Sequence, residues 1–86
     1  MKIVFTKHAL GKFKHQSVVK LGIKKKHVES ALKSPDYPSV IEEYGVKSIL
    51  KNYDETHDLR VIYREDDDII IVITFHPAER GRYEKH

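Results

Sequence analysis

Seven residues near the C-terminus, IIIVITF at positions 69–75, constrain this chain more than any other stretch. A strand with one wet face alternates apolar and polar side chains, whereas this one is apolar at almost every position. It therefore reads as a central strand of a sheet, with helices covering one side. The acidic run EDDD at 65–68 reads as a tight reversal, pairing this strand with an alternating strand at 59–64, LRVIYR. Further upstream, NYDETHD at 52–58 is a turn, residues 46–53 alternate again, and residues 40–44 predict one more strand before Gly45.

The N-terminal part has a different period. MKIVF is a short β-branched strand ending near Thr6, whose hydroxyl suits it to cap a helix over residues 7–20. Leu10, Phe13 and Ser17 form the inward stripe of that helix, with Ala9 beside them and Gly22 as the C-cap residue. A second helix over 24–33 turns Ile23, Val28, Ala31 and Leu32 inward and its lysines outward, and it stops at the prolines of SPDYP. The expected fold is α+β: two N-terminal helices packed on an antiparallel sheet of three to five strands.

At 86 residues the chain buries only about 60–65% of the surface that it exposes when unfolded, so one domain of two layers is expected. Without cysteine, neither a disulfide framework nor a thiolate zinc site can brace it. The longest unbroken apolar run, IIIVI, falls far short of the roughly 20 residues of a membrane span, and the N-terminus has no signal-peptide run. A cytoplasmic protein is expected, with residues 78–86 as a loose polar tail.

Charge is segregated along the chain. Residues 1–33 carry nine lysines and one acid, for +8, while residues 34–86 carry −5, leaving a net +3. A dense positive segment gathers and steers polyanions, so nucleic acid is the first partner to consider, with a lysine-rich solubilising surface as the plain alternative.

Two sets of residues suggest chemistry. On a continuous helix, His8, Lys12 and His15 share one sector away from Leu10 and Phe13, and such a row can hold phosphate or move protons. On the last strand, period-two alternation puts Thr74 and His76 on one face, following Ile70 and Val72. With a simple hairpin at EDDD, Arg60 falls opposite the region around Phe75, near both. A metal is not expected, because the histidines lack ligand spacing and Asp66, Asp67 and Asp68 lack the glycine and glutamate of a calcium loop. No glycine-rich phosphate loop or nucleophile elbow occurs, and no cofactor is expected.

The runs TKHALGKF (6–13), GIKKKHVESALKSP (22–35), LRVIY (59–63) and IIVIT (70–74) together resemble the family catalogued as domain of unknown function 4258. That resemblance implies a RelE-like fold, shared with small toxin ribonucleases in which helices pack on a sheet and RNA crosses its open face. It implies His8, Lys12, Arg60 and Thr74 as site residues, to which strand geometry adds His76. The stretch from His8 to Gly22 is longer than in the family pattern, and Leu21 replaces a basic residue.

The function implied is RNA binding with metal-independent cleavage, as in a toxin-type endoribonuclease. His8 would be the base, Arg60 with Lys12 the cations, His76 the acid, and Thr74 a phosphate-orienting group. Lys7, His15, Lys24, Lys25 and Lys26 would hold RNA. The implied partners are RNA, including ribosome-bound mRNA, and an antitoxin protein, with no membrane. Two alternatives stay open: a non-catalytic module binding nucleic acid or an acidic protein through the basic helices, and a toxin relative that has lost activity.

Overall fold

The computed structural model describes residues 2–84. In chain order it contains β1 (Lys2–Phe5), α1 (Lys7–Lys12), α2 (Gln16–Leu21), α3 (Lys25–Lys33), β2 (Tyr37–Ile41), a 3₁₀ turn (Glu43–Gly45), β3 (Lys47–Asn52), β4 (His57–Asp66) and β5 (Ile69–Glu79). The strands form one sheet in the order β1-β5-β4-β3-β2. The chain is α+β as expected, and β5, the IIIVITF strand, lies between two neighbours.

Three expectations are corrected. First, the sheet is mixed: β2 to β5 pair antiparallel, but β1 runs parallel to β5, from Lys2 opposite Ile69 to Phe5 opposite Val72. No tight turn joins these two strands, so only the long path through the helices sets their relative direction.

Second, the helix expected over 7–20 is two helices. Residues 13–15 close tight turns onto Leu10, Gly11 and Lys12, and His15 then adopts an extended conformation as the N-cap of α2. The break seats the Phe13 ring 4.7 Å from Phe75 and 5.8 Å from Phe5, and it buries Val18. Leu10, assigned inward by periodicity, is 43% exposed. Gly11, a poor helix former, weakens the segment just before the break.

Third, residues 78–84 are not a loose tail. Ala78 and Glu79 belong to β5, and residues 80–84 fold back with their own hydrogen bonds. Residues 85 and 86 lie outside the described residues. Upstream, β2 begins at Tyr37, earlier than expected. It accommodates Pro38 as an edge strand can, since a proline there sacrifices no interior ladder bond.

All three helices cover one face of the sheet. Ala9, Val18, Ile23, Val28 and Ala31 pack there against Ile49, Leu59, Val61, Tyr63, Ile70, Val72 and Phe75. At the acidic reversal, Asp66 pairs with Ile69 across a two-residue loop in which Asp67 takes φ +54°. No helix among the described residues is long and apolar enough to cross a membrane.

Candidate functional site

One irregularity in the β4–β5 ladder determines where the candidate side chains point. Tyr63 pairs with Val72 but Ile62 pairs with Thr74, so Ile73 is an extra residue with no partner across the ladder. Such a β-bulge switches the alternation of its strand. Before it, Ile70 and Val72 face the helices; beyond it, Phe75 does. Simple alternation puts Thr74 and His76 on the face of Ile70 and Val72, inside the core. The bulge instead sends them to the opposite, helix-free face, which corrects that part of the sequence reading.

Thr6 ties the bulge to the first helix. Its hydroxyl donates to the Ile73 carbonyl at 3.0 Å and accepts from the Ala9 N–H at 3.1 Å, while its own N–H donates to the Val72 carbonyl. One threonine thus caps α1 and occupies the carbonyl that the bulge turns out of the ladder.

On the helix-free face, Arg60 and His76 are direct cross-strand partners, with Thr74 one step along, opposite Ile62. Arg60 Nη2 donates to Glu42 Oε1 at 2.7 Å, and Ser48 Oγ donates to the same oxygen at 2.9 Å. Tyr83 lies over the guanidinium, 4.4 Å from ring centroid to Cζ, and its ring stands edge-on to His76 at 6.2 Å. Burial, and after it the charges of Arg60, Lys12 and Arg82, hold the His76 pKa below its ordinary 6.5. His76 is therefore mainly neutral at pH 7, the form that accepts a proton. The Thr74 hydroxyl is buried and has no hydrogen-bond partner among the described residues.

The other sequence candidates are dispersed. Lys12 is half-buried, and its charge is felt at His76. His8 is exposed on α1 and takes part in no hydrogen bond or ion pair among the described residues. The break after Lys12 removes His15 from the proposed helical row, and its Nδ1 lies 3.2 Å from Ser17 Oγ. Lys7 is exposed, as are Lys24, Lys25 and Lys26 at the start of α3, on the helical side of the sheet. The structure thus joins Arg60, Thr74 and His76, with the charge of Lys12 felt at His76, but separates them from His8, His15 and the lysine triplet.

Sequence reasoning missed Glu42, Tyr83 and the pairing of a buried acid, Asp58, with Glu84. An aromatic residue inside the polar run ERGRYE was the one available signal for Tyr83. Glu42 carried no signal, because its position depends on how the turn after β2 folds back. Asp58 is fully buried and pairs with Arg80 at 3.5 Å; burial first, and then the neighbouring Glu84 carboxyl, push its pKa up to about 6. Glu84 is lowered instead, first by its hydrogen bond with Asp58 and then by the Tyr37 hydroxyl, which donates to it at 2.6 Å. These contacts hold residues 80–84, and with them Tyr83, against the sheet.

Between β2 and Tyr83 lies a cleft of about 330 Å³ with Arg60, Glu42 and Ser48 at its polar end. No cluster of three or more potential metal-ligating side chains occurs among the described residues. Comparison with family models, with curated proteins and with solved structures returns no match, so the site stands on its own geometry.

Proposed function

We propose that this chain is a cytoplasmic RNA-binding protein of RelE-like architecture that cleaves RNA without metal on the helix-free face of its sheet. The observation that carries the reading is the bulge at Ile73, which sets a neutral imidazole, His76, across the ladder from Arg60, where the charge of Lys12 is also felt. Neutral imidazole can take the 2′-hydroxyl proton at pH 7. The 2′-oxygen then attacks phosphorus, a cyclic phosphate forms, and the 5′-oxygen leaves. Arg60 has donors left after its bond to Glu42, and with Lys12 it balances the charge of the phosphorane. The leaving 5′-oxygen takes its proton from solvent, because His8 sits in the helical layer on the other side of the sheet. In the toxin-type reading, an antitoxin masks this face and ribosome-bound mRNA is the target.

The test is cleavage of a single-stranded RNA oligomer by the full chain in excess chelator. The expected products end in cyclic phosphate and 5′-hydroxyl, and a substrate lacking the 2′-hydroxyl at the scissile position stays intact. His76→Ala should lower the rate by about 10²-fold or more with binding retained. Equal rates in wild type and His76→Ala would overturn the assignment.

A second reading has its own support. Glu42 neutralises Arg60, whereas Lys24, Lys25 and Lys26 stand exposed without ion pairs among the described residues. A non-catalytic module that binds nucleic acid or an acidic protein through these lysines would weaken steeply with salt, respond to their removal, and ignore His76→Ala.

A further inference from the structure

The cleft beside Arg60 has a built polar end that the cleavage chemistry leaves unused. Glu42 Oε1 accepts from both Arg60 and Ser48, which fixes the carboxylate in place. No described residue donates to Oε2, and the Glu42 side chain is 38% exposed. A carboxylate offers about four acceptor positions, so those on Oε2 remain open. The walls are aromatic and apolar: Tyr37, Pro38, Val40, Leu50 and Tyr83. Tyr37 is held by its bond to Glu84, and Tyr83 by its packing on Arg60, so both walls are set before any ligand arrives. A volume of about 330 Å³ lies at the small end of ligand pockets, suited to one planar ring system with a sugar at its mouth.

The chemistry at the closed end selects among ring systems. A fixed acceptor between aromatic walls favours a flat heterocycle with adjacent N–H donors and no acceptor between them. Among the four RNA bases, guanine alone presents two neighbouring donors, N1–H and the 2-amino group, on its Watson–Crick edge. Adenine and cytosine each set a ring-nitrogen acceptor beside a single amino group, and uracil flanks its one N–H with two carbonyls. Each of those acceptors would face the carboxylate lone pairs.

We propose that this cleft is a guanine-binding subsite, with Glu42 reading the N1–H and 2-amino edge and Tyr37 and Tyr83 enclosing the ring. It rests on the RNA reading of the same face, and it adds a base preference there: the nucleotide seated beside Arg60 is a guanosine. Arg60 then bridges the two functions, fixing Glu42 with one donor and facing the adjoining phosphate with others.

The test is calorimetric titration of the full chain with GMP, IMP, AMP, CMP and UMP, alongside an oligouridine. GMP should bind at least tenfold tighter than AMP, CMP or UMP. IMP, which lacks only the 2-amino group, should bind several-fold weaker than GMP, a comparison that needs no variant. Glu42→Gln, which keeps an oxygen for Arg60 and Ser48, should erase the preference while its melting temperature stays near that of wild type.

Equal binding of all five nucleotides overturns the subsite, as does a GMP preference untouched by Glu42→Gln or IMP binding as tight as GMP. Oligouridine separates the two readings. If it binds while the nucleotides are not discriminated, the subsite falls and the RNA reading stands. If GMP is selected but oligouridine is not bound, the RNA reading falls and the guanine site stands.

Discussion

Asp58 and Glu84 hold opposite halves of one titration. Asp58 has a folded pKa of about 6 against an ordinary 3.8, so its contribution to stability is whole below 3.8 and lost as the pH rises through about 6. Glu84 is shifted down from 4.5, so its contribution is whole above 4.5 and lost as the pH falls through its folded value. Between those limits one proton serves both carboxyls, and this pair should be most stabilising at weakly acid pH. Asp58→Asn, with a neutral group of the same shape, should flatten the fall in melting temperature between pH 5 and 7.5 seen by circular dichroism. A fall as steep as in wild type would place the titrating group elsewhere.

Thr74 gives a second prediction for a single side chain. A buried hydroxyl without a partner forfeits its bonds to water, so Thr74→Val should be neutral or stabilising by about 1 kcal/mol in urea titrations. Because the hydroxyl is shut away from solvent, the same variant should bind RNA as tightly as the wild type; weaker binding would show that the hydroxyl does reach phosphate.

At the scale of elements, the junction between Thr6 and the bulge links the first helix to the candidate site. Thr6→Val keeps the shape of the side chain but removes its bonds to the Ile73 carbonyl and to the Ala9 N–H, at an expected cost of about 1–2 kcal/mol. Because the bulge aims His76, RNA cleavage should fall by more than global stability explains. Normal cleavage in a destabilised Thr6→Val chain would show that the bulge holds without its tie. Gly22 makes a contrast within the same layer. It caps α2 at φ +70°, and a Cβ there would meet only the Tyr53 hydroxyl at 4.0 Å, an ordinary contact. Gly22→Ala should therefore cost about 1 kcal/mol for backbone conformation alone and leave cleavage unchanged.

For the whole molecule, the segregation of charge along the chain becomes a segregation in space. The helices and the turns between them carry the lysines of residues 7–33, and the sheet supplies Arg60 and His76 on its other side. An RNA that used both would have to pass around an edge of the sheet, β1 or β2. Removing Lys24, Lys25 and Lys26 together should then lower the slope of log affinity against log salt by about 2, at about 0.7 per phosphate contact. An unchanged slope would confine RNA to the helix-free face.

The parts legible in the sequence were those fixed by local period and local chemistry. The apolar run at 69–75 placed β5 inside the sheet, the acidic turn set its hairpin with β4, Thr6 announced the cap of α1, and Gly22 and Pro35 bounded the helices. These follow from neighbours in the chain, through side-chain alternation, φ preferences and hydrogen bonds spanning a few residues. Tertiary structure decided the rest. The bulge at Ile73, the parallel direction of β1, the break that turns Phe13 onto Phe75, and the return of residues 80–84 over Arg60 each arise from contacts between segments distant in sequence. A one-residue slip in a ladder leaves no mark on composition or spacing. In this chain, that slip decides whether His76 faces the helices or the open side of the sheet.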